Sequence, residues 1–465
     1  MERNKMNNEE KYTQKISVFE KAAILTSGLG NFPLFALMSS FLTYFYTNVI
    51  GLDPGIIGMI LLISRLLDGV SDIIFGNIID KTRTSKGVCR PWIFRCAFLI
   101  ALAIVMLFTV PNGSTGLKLA YVFITYNLSS VVIYTISTTA VVSLPTYITR
   151  NPRQQTLLYA LNNFGVGIAN VTITTFTLNF VRYFGNDQKA WIIVVCIYAI
   201  LSACFLFYTG AASKEYVNPD EVSKGKAKES LVVSLKCSLQ NKYWFLMLGI
   251  IILGVGVFGT SLQMHTYYAQ YILGNVELAG KMNSAYTIPS LFVGFLIVSF
   301  GQYVNRKKAV IGACALQLLG CVLIVFAPTS MPILIFASVI KGIGYGGVMG
   351  FKNAMLAASI EYGQWKTGVR SQAIFMAANG FGQKVGGGII TAVIGGIMSL
   401  TGFNGMAESL STQALGGIRS LYILMPIILT VLELIFIMMY DLDKKYDGIM
   451  KDLAEGKTAI SQQSE

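Results

Sequence analysis

Twelve apolar stretches, each near the roughly 20 residues that a helix needs to span a bilayer, constrain this chain more than any other feature. They fall near 19–50, 55–79, 92–110, 118–143, 156–180, 189–212, 243–271, 282–304, 309–327, 331–358, 371–402 and 415–440. In lipid no water is at hand for backbone N–H and C=O groups, so a spanning segment satisfies them internally, as a helix. An all-α membrane protein with twelve transmembrane helices is therefore expected. Composition agrees: 13% of residues are charged and 54% hydrophobic, whereas a soluble domain carries about 25% charged residues. The first stretch is too long for a signal-peptide core and lacks a small-residue cleavage site, so it counts as a span.

The net charge of +13 does not indicate a nucleic-acid partner, because lysines and arginines gather in alternate loops. One side holds Lys81, Arg83, Lys86 and Arg90, then Arg150 and Arg153, the central loop, Arg306 to Lys308, Lys366 and Arg370, and both tails. The other holds only Lys118, Arg182, Lys189, Lys281 and Arg419. The positive-inside rule then makes both termini cytoplasmic in a multi-pass protein of the cell membrane. Five segments follow: a tail at 1–18, six spans within 19–212, a central loop at 213–242, six spans within 243–440, and a second tail at 441–465. The seven cysteines show no metal-ligand spacing, and no nucleophile elbow or nucleotide motif appears, so no enzyme and no cofactor is expected. The glycine runs at 342–347 and 386–388 lie inside spans and read as close helix packing.

The second span is the exception to apolarity. In RLLDGVSD, Asp68 and Asp72 stand four residues apart, on one helix face with Cβ atoms about 5–6 Å apart. An ionised Asp at a helix centre costs about 2.5–3.5 kcal/mol, so a pair is kept only where it faces a cavity or a cation. A bound proton or a hard monovalent cation (Na+, Li+ or H+) relieves both the burial and the mutual repulsion, and oxygen ligands suit it. The alternative is structural: ion pairs with Arg65 or Lys384.

The run RLLDGVSD followed by GNIIDKTRTSKGVCRPW resembles the second helix and following loop of the glycoside–pentoside–hexuronide:cation symporters, the melibiose-permease family of the major facilitator superfamily. YFYTNVIGL at 44–52, YYAQYILG at 267–274, EYGQWKTGVRSQ at 361–372 and QKVGGGI at 383–389 resemble further segments of that family. The resemblance implies two six-helix halves and cation-driven sugar uptake by alternating access. It implies that Asp68 and Asp72 bind the cation, that Arg65 belongs to the same motif, and that Lys384 serves the polar cavity. A helix-4 hydroxyl beside the cation falls on Tyr134 or Thr135. On the sugar side the chain departs from the family: Phe32 with Asn31 beside it, Ser137, Val141 and Asn162 stand where the melibiose branch has its characteristic acids, aromatic and arginine. The cation half looks kept and the sugar half rewritten, with Asn31, Ser137, Asn162 and Asn379 as candidate substrate contacts. Amides inside spans equally serve as glue between helices.

Acids inside the spans are Asp68, Asp72 and Glu433; bases are Arg65, Lys341, Lys352 and Lys384. Lys341 lies near the middle of its span, out of snorkelling reach, and the positive excess suits an anionic sugar such as a hexuronide unless unrecognised pairs balance it. Lys384 either contacts substrate or only neutralises the acids. His265 reads as a packed polar residue or a proton relay. Asp80, Arg83 and Arg90 are expected to form a cytoplasmic latch. The expected partners are a sugar or glycoside, a monovalent cation and the lipid bilayer; a drug or lipid carrier and a sugar sensor are the competing readings.

Overall fold

The computed structural model describes residues 16–217, 236–300, 304–368, 372–455 and 457, with the side chain of Asp80 among those left outside the description. The expected tail at 1–15, most of the central loop and Arg370 also lie outside the described residues. Among the described residues twelve long helices follow in order. They are α1 Val18–Ser40, α2 Pro54–Lys81, α3 Arg90–Phe108, α4 Thr115–Ile148, α5 Pro152–Tyr183 and α6 Gln188–Ala212, then α7 Lys242–Tyr271, α8 Leu278–Phe300, α9 Arg306–Phe326, α10 Met331–Thr367, α11 Gln372–Leu400 and α12 Thr412–Met439. A short α13, Tyr446–Ala454, closes the chain. Ten of these helices are long and apolar enough to cross a membrane by length and composition. The two others are α2, interrupted by Arg65, Asp68 and Asp72, and α8, whose first turns carry Lys281, Asn283 and Ser284.

The loops stop and start these helices with ordinary capping chemistry. Asp53, Ser114, Asn151, Asp187, Asn241, Asn305 and Ser411 each accept a backbone N–H of the following helix through a side-chain oxygen. Each cap satisfies a donor that the helix itself leaves orphaned. The first apolar stretch runs on past α1 through Leu42–Tyr44 into a π-helical turn at Phe45–Val49. A second π turn, Leu128–Tyr134, interrupts α4 at mid-length.

The chain divides into two compact units, one built from α1–α6 and one from α7–α12. Inside the first, α1 packs on α5 and α6, α3 on α6, and α2 on α4. Inside the second, α7 packs on α11 and α12, α9 on α12, and α8 on α10, which is the same pairing six helices later. The two sequences lack visible identity, so the repeat shows only in which helices touch. Small residues bring these pairs close. A Cβ on Gly165 of α5 would fall onto the Leu25 carbonyl of α1, and one on Gly342 of α10 onto the Tyr286 carbonyl of α8. In the first unit Phe41, Phe45, Phe108 and Trp191 form an aromatic core, with the Phe108 and Trp191 rings stacked at 5.4 Å.

At one end of the second unit Asp441, beyond α12, accepts from Tyr243 Oη at 2.6 Å, from Lys242 Nζ at 2.9 Å and from Lys445 Nζ at 3.1 Å. The Tyr243 hydrogen bond, with the two lysines, holds this carboxyl well below the usual carboxylate range. It thus pins the start of α7 to the end of α12.

Substituting Gly165→Ala should destabilise the protein by about 1–3 kcal/mol, the usual cost of overpacking, because backbone rather than a flexible side chain stands in the way. Gly76→Ala, whose Cβ meets nothing within 4 Å, should leave the thermal midpoint unchanged or raise it. Melting curves of the purified variants in one detergent compare the two.

Candidate functional site

The π turn of α4 shapes the most polar point of the first unit. An α-helix closes each N–H onto the carbonyl four residues back, whereas a π turn spends an extra residue and displaces the side chains beyond it. Here it brings Ser130 and Thr135 to the same carboxylate of α2. Thr135 Oγ1 donates to Asp68 Oδ1 at 2.8 Å, and Ser130 Oγ donates to Asp68 Oδ2 at 3.3 Å. Ser71, one turn along α2, reaches Asp68 Oδ1 at 3.4 Å while donating to the Asp68 backbone carbonyl at 2.8 Å. Asp68 is fully buried, at 0% exposure.

Arg65 supplies the nearest positive charge, with Nη1 3.7 Å from Asp68 Oδ2. Its guanidinium also lies over the rings of Phe35 and Tyr126, at 5.5 and 5.9 Å from their centroids. Aromatic faces hold a weakly hydrated guanidinium without neutralising it. Asp72, half-buried, follows Asp68 one turn along α2. The two carboxylates and the hydroxyls around Asp68 make a setting rich in oxygen atoms. Hard monovalent cations prefer such oxygens.

The structure decides between the two hydroxyls that residue counting left open. Thr135 is the one on Asp68, while the Tyr134 ring stacks on Phe35 at 5.7 Å. Ser71 and Ser130 were missed. Ser71 had a readable signal, three residues after Asp68 and hence on the same helix face; Ser130 had none, because only the π turn brings it round.

The expected sugar-side residues are arranged differently from one another. Asn31 Nδ2 donates to Thr138 Oγ1 at 2.8 Å, joining α1 to α4, and its buried Oδ1 has no hydrogen-bond partner. Asn162 Nδ2 donates to Ser27 Oγ at 2.8 Å. That bond lies at the close crossing of α1 and α5, so in this conformation Asn162 joins helices. Ser137 is fully buried. In the second unit Lys384 and Asn379 are half-buried on α11, Lys352 is half-buried on α10, and Lys341 of α10 is fully buried.

Of the latch expected from Asp80, Arg83 and Arg90, the Asp80 side chain lies outside the described residues, and the two arginines reach backbone carbonyls. Arg90 Nε donates to the Gly210 carbonyl at 2.9 Å, at the end of α6, and Arg83 Nη1 donates to the Thr82 carbonyl at 3.0 Å. A carboxylate reaches this loop from the stretch after α6, that of Glu215. It accepts the backbone N–H of Val88 at 2.6 Å and those of Cys89 and Arg90 at 2.9 Å each. A helix start exposes unpaired N–H groups and the positive end of the dipole, so an anion there satisfies both at once. Single-sequence reading missed Glu215 because its partners are backbone groups more than a hundred residues away.

With this geometry described, comparison with known proteins gives a consistent result. The profile of a family described as MFS/sugar transport protein matches residues 29–444. An isoprimeverose transporter of Lactiplantibacillus pentosus is 28% identical, covering 95% of this chain and 94% of its own. An inner membrane symporter of Escherichia coli K12 is 24% identical, covering 97% of this chain and 98% of its own. Among solved structures, a nucleoside transporter superposes with a TM-score of 0.64 at 17% identity, over 91% of this chain and 100% of that one, which speaks to fold alone.

Replacing Glu215 with Ala strands three N–H donors at the start of α3. Hydrogen bonds to charged groups contribute about 1.5–3 kcal/mol each at most, so a loss of that order in unfolding free energy is expected, with Glu215→Gln intermediate. Thermal or denaturant unfolding of the detergent-solubilised protein measures it; an unchanged midpoint for Glu215→Ala would remove the capping role.

Proposed function

The chain belongs to the MFS/sugar transport protein family, and we propose on that premise that it is a cation-coupled symporter carrying a glycoside, pentoside or hexuronide into the cell by alternating access. As a member of that family it is a multi-pass membrane transporter. Its coupling cation (Na+, Li+ or H+), its substrate, its cell-membrane location and its cytoplasmic termini belong to the proposal.

The observation that carries the reading is the Asp68 carboxylate, fully buried yet surrounded by the hydroxyls of Thr135, Ser130 and Ser71. Removing a carboxylate from water without full compensation is too costly to be incidental. Arg65 offsets part of the charge. A monovalent cation at Asp68 and Asp72 offsets more of it, with Thr135 and Ser130 turning their oxygen lone pairs toward it. Cation binding then lowers the cost of the polar interior and favours sugar binding; by linkage, sugar favours the cation to the same extent. One positive charge moving through 100 mV contributes about 2.3 kcal/mol, roughly a fortyfold accumulation at about 1.4 kcal/mol per tenfold. The similarity to an isoprimeverose transporter and to an inner membrane symporter supports the same class.

Right-side-out vesicles should accumulate one labelled neutral glycoside, pentoside or hexuronide when a sodium or proton gradient is imposed, and Asp68→Asn should abolish this. Thr135→Val, which keeps shape and removes one oxygen, should raise the cation concentration for half-maximal uptake by about tenfold, in keeping with about 1.5 kcal/mol for a hydrogen bond to a charged group. No accumulation of any sugar under any gradient, with the protein folded and inserted, would favour a drug or lipid carrier; sugar binding without uptake would favour a sensor.

A further inference from the structure

The second unit contains a polar cluster that the cation site does not use. Lys341 of α10 has 0% exposure, and its Nζ finds no hydrogen-bond partner. It lies over two tyrosine rings, 5.9 Å from the centroid of Tyr286 on α8 and 5.6 Å from that of Tyr422 on α12. His265 of α7, also at 0% exposure, meets the same two rings edge-on at 6.2 and 5.6 Å. Its Nδ1 lies 2.7 Å from Asn283 Oδ1 of α8. In the orientation assigned to that amide, Nδ1 donates, and Nε2 is left as the acceptor of a neutral ring. The His265 Nε2 and the Asn283 Nδ2 are buried without a hydrogen-bond partner among the described residues. Five side chains from four helices thus converge, and Lys341, His265 and Asn283 leave polar ends unsatisfied where a buried polar group is normally paired.

The charge in the cluster is unbalanced as well. The buried carboxylate of this unit is Glu433, and it stands eleven residues beyond Tyr422 on α12 and beside Gly254, eleven residues before His265 on α7. Eleven helical residues span about 16 Å, and among the described residues Glu433 and Lys341 make no ion pair with each other. The cluster therefore offers one ammonium and an amide as donors, two phenols that donate or accept, and one imidazole nitrogen that only accepts. A simple anion would use the donors and leave the imidazole unused. A ring that bears a carboxylate with neighbouring hydroxyls uses both: the carboxylate takes the donors and a hydroxyl donates to Nε2.

Resting on the symporter reading, we infer that Lys341, His265, Asn283, Tyr286 and Tyr422 form the subsite for the carboxylate end of the transported solute, which is an acidic glycoside, a hexuronide. The ammonium supplies the charge, the amide and phenols fix the two carboxylate oxygens, and His265 selects a hydroxyl beside them. The cluster is closed in the conformation described, so solute enters it in another state of the transport cycle. A site built to pair a substrate group rejects an analogue that lacks it, because its own polar atoms then stay unpaired.

The test is calorimetric titration of the full-length protein in nanodiscs with methyl β-glucuronide, with methyl β-glucoside, which differs in carrying CH2OH for the carboxylate, and with acetate. The inference expects the glucuronide to bind at least tenfold more tightly than the glucoside and acetate not to compete at equal concentration. Lys341→Gln should abolish the difference between the two sugars, and His265→Phe, which removes the acceptor for a hydroxyl that both carry, should weaken both. Equal affinity of the wild type for both sugars would overturn it, and that comparison holds even if the variants fail to fold. So would a preference that survives in folded Lys341→Gln. Gradient-driven uptake of a neutral glycoside without acid preference would leave the symporter standing and remove this subsite. Acetate displacing the sugar equally would reduce the cluster to a simple anion site, and binding of no sugar at all would take both readings down.

Discussion

Asp68 is a carboxylate with no contact with water, held by three hydroxyls and flanked by one guanidinium. Much of the first unit is arranged around its cost. The acid must sit on α2, an arginine must stand one turn before it, and α4 must bring oxygen atoms to it from a helix that would otherwise turn apolar side chains inward. The π turn at Leu128–Tyr134 does this. Breaking regular helical hydrogen bonding in lipid is unfavourable, and it persists because the displaced residues serve a buried charge. Phe35 and Tyr126 hold Arg65 against their faces, so the guanidinium stays near Asp68 without closing around it.

The two units solve their packing problem in the same way. Without a hydrophobic driving force between helices in lipid, association depends on close van der Waals approach and on interhelical hydrogen bonds. The glycines at the α1–α5 and α8–α10 crossings supply the first, and the Asn31–Thr138, Asn162–Ser27 and Gln317–Thr430 bonds supply the second. The polar contents of the units differ sharply. The first concentrates anionic oxygens around Asp68; the second gathers a buried lysine, an imidazole and an amide around two tyrosine rings. A symporter that carries a cation together with an acidic sugar needs one environment of each kind.

Three residues show where reading the sequence reached its limit. Asn162 looked like a sugar contact from its place in the family pattern, yet it spends its amide on Ser27. Arg90 was expected in a latch with Asp80 and Arg83; it binds the carbonyl that ends α6, and Glu215, which the sequence did not single out, accepts three backbone N–H groups at the start of α3. His265 looked like an isolated packed residue; beside Lys341 and two tyrosines it is part of a cluster.

The sequence by itself determined what depends on one segment at a time. Twelve apolar stretches, the caps between them, the two carboxylates on one face of α2 and the unmatched lysines inside spans all follow from hydropathy and from the period of a single helix. Tertiary structure alone decided the rest: that Thr135 rather than Tyr134 meets Asp68, that Ser130 joins it, that the two units pair their helices alike, and that Lys341, His265 and Tyr422 meet although the chain sets them up to 157 residues apart. The physical reason is register. Which side chains of two helices touch depends on the depth and rotation at which they cross, and a single π turn resets both without leaving a mark in the composition.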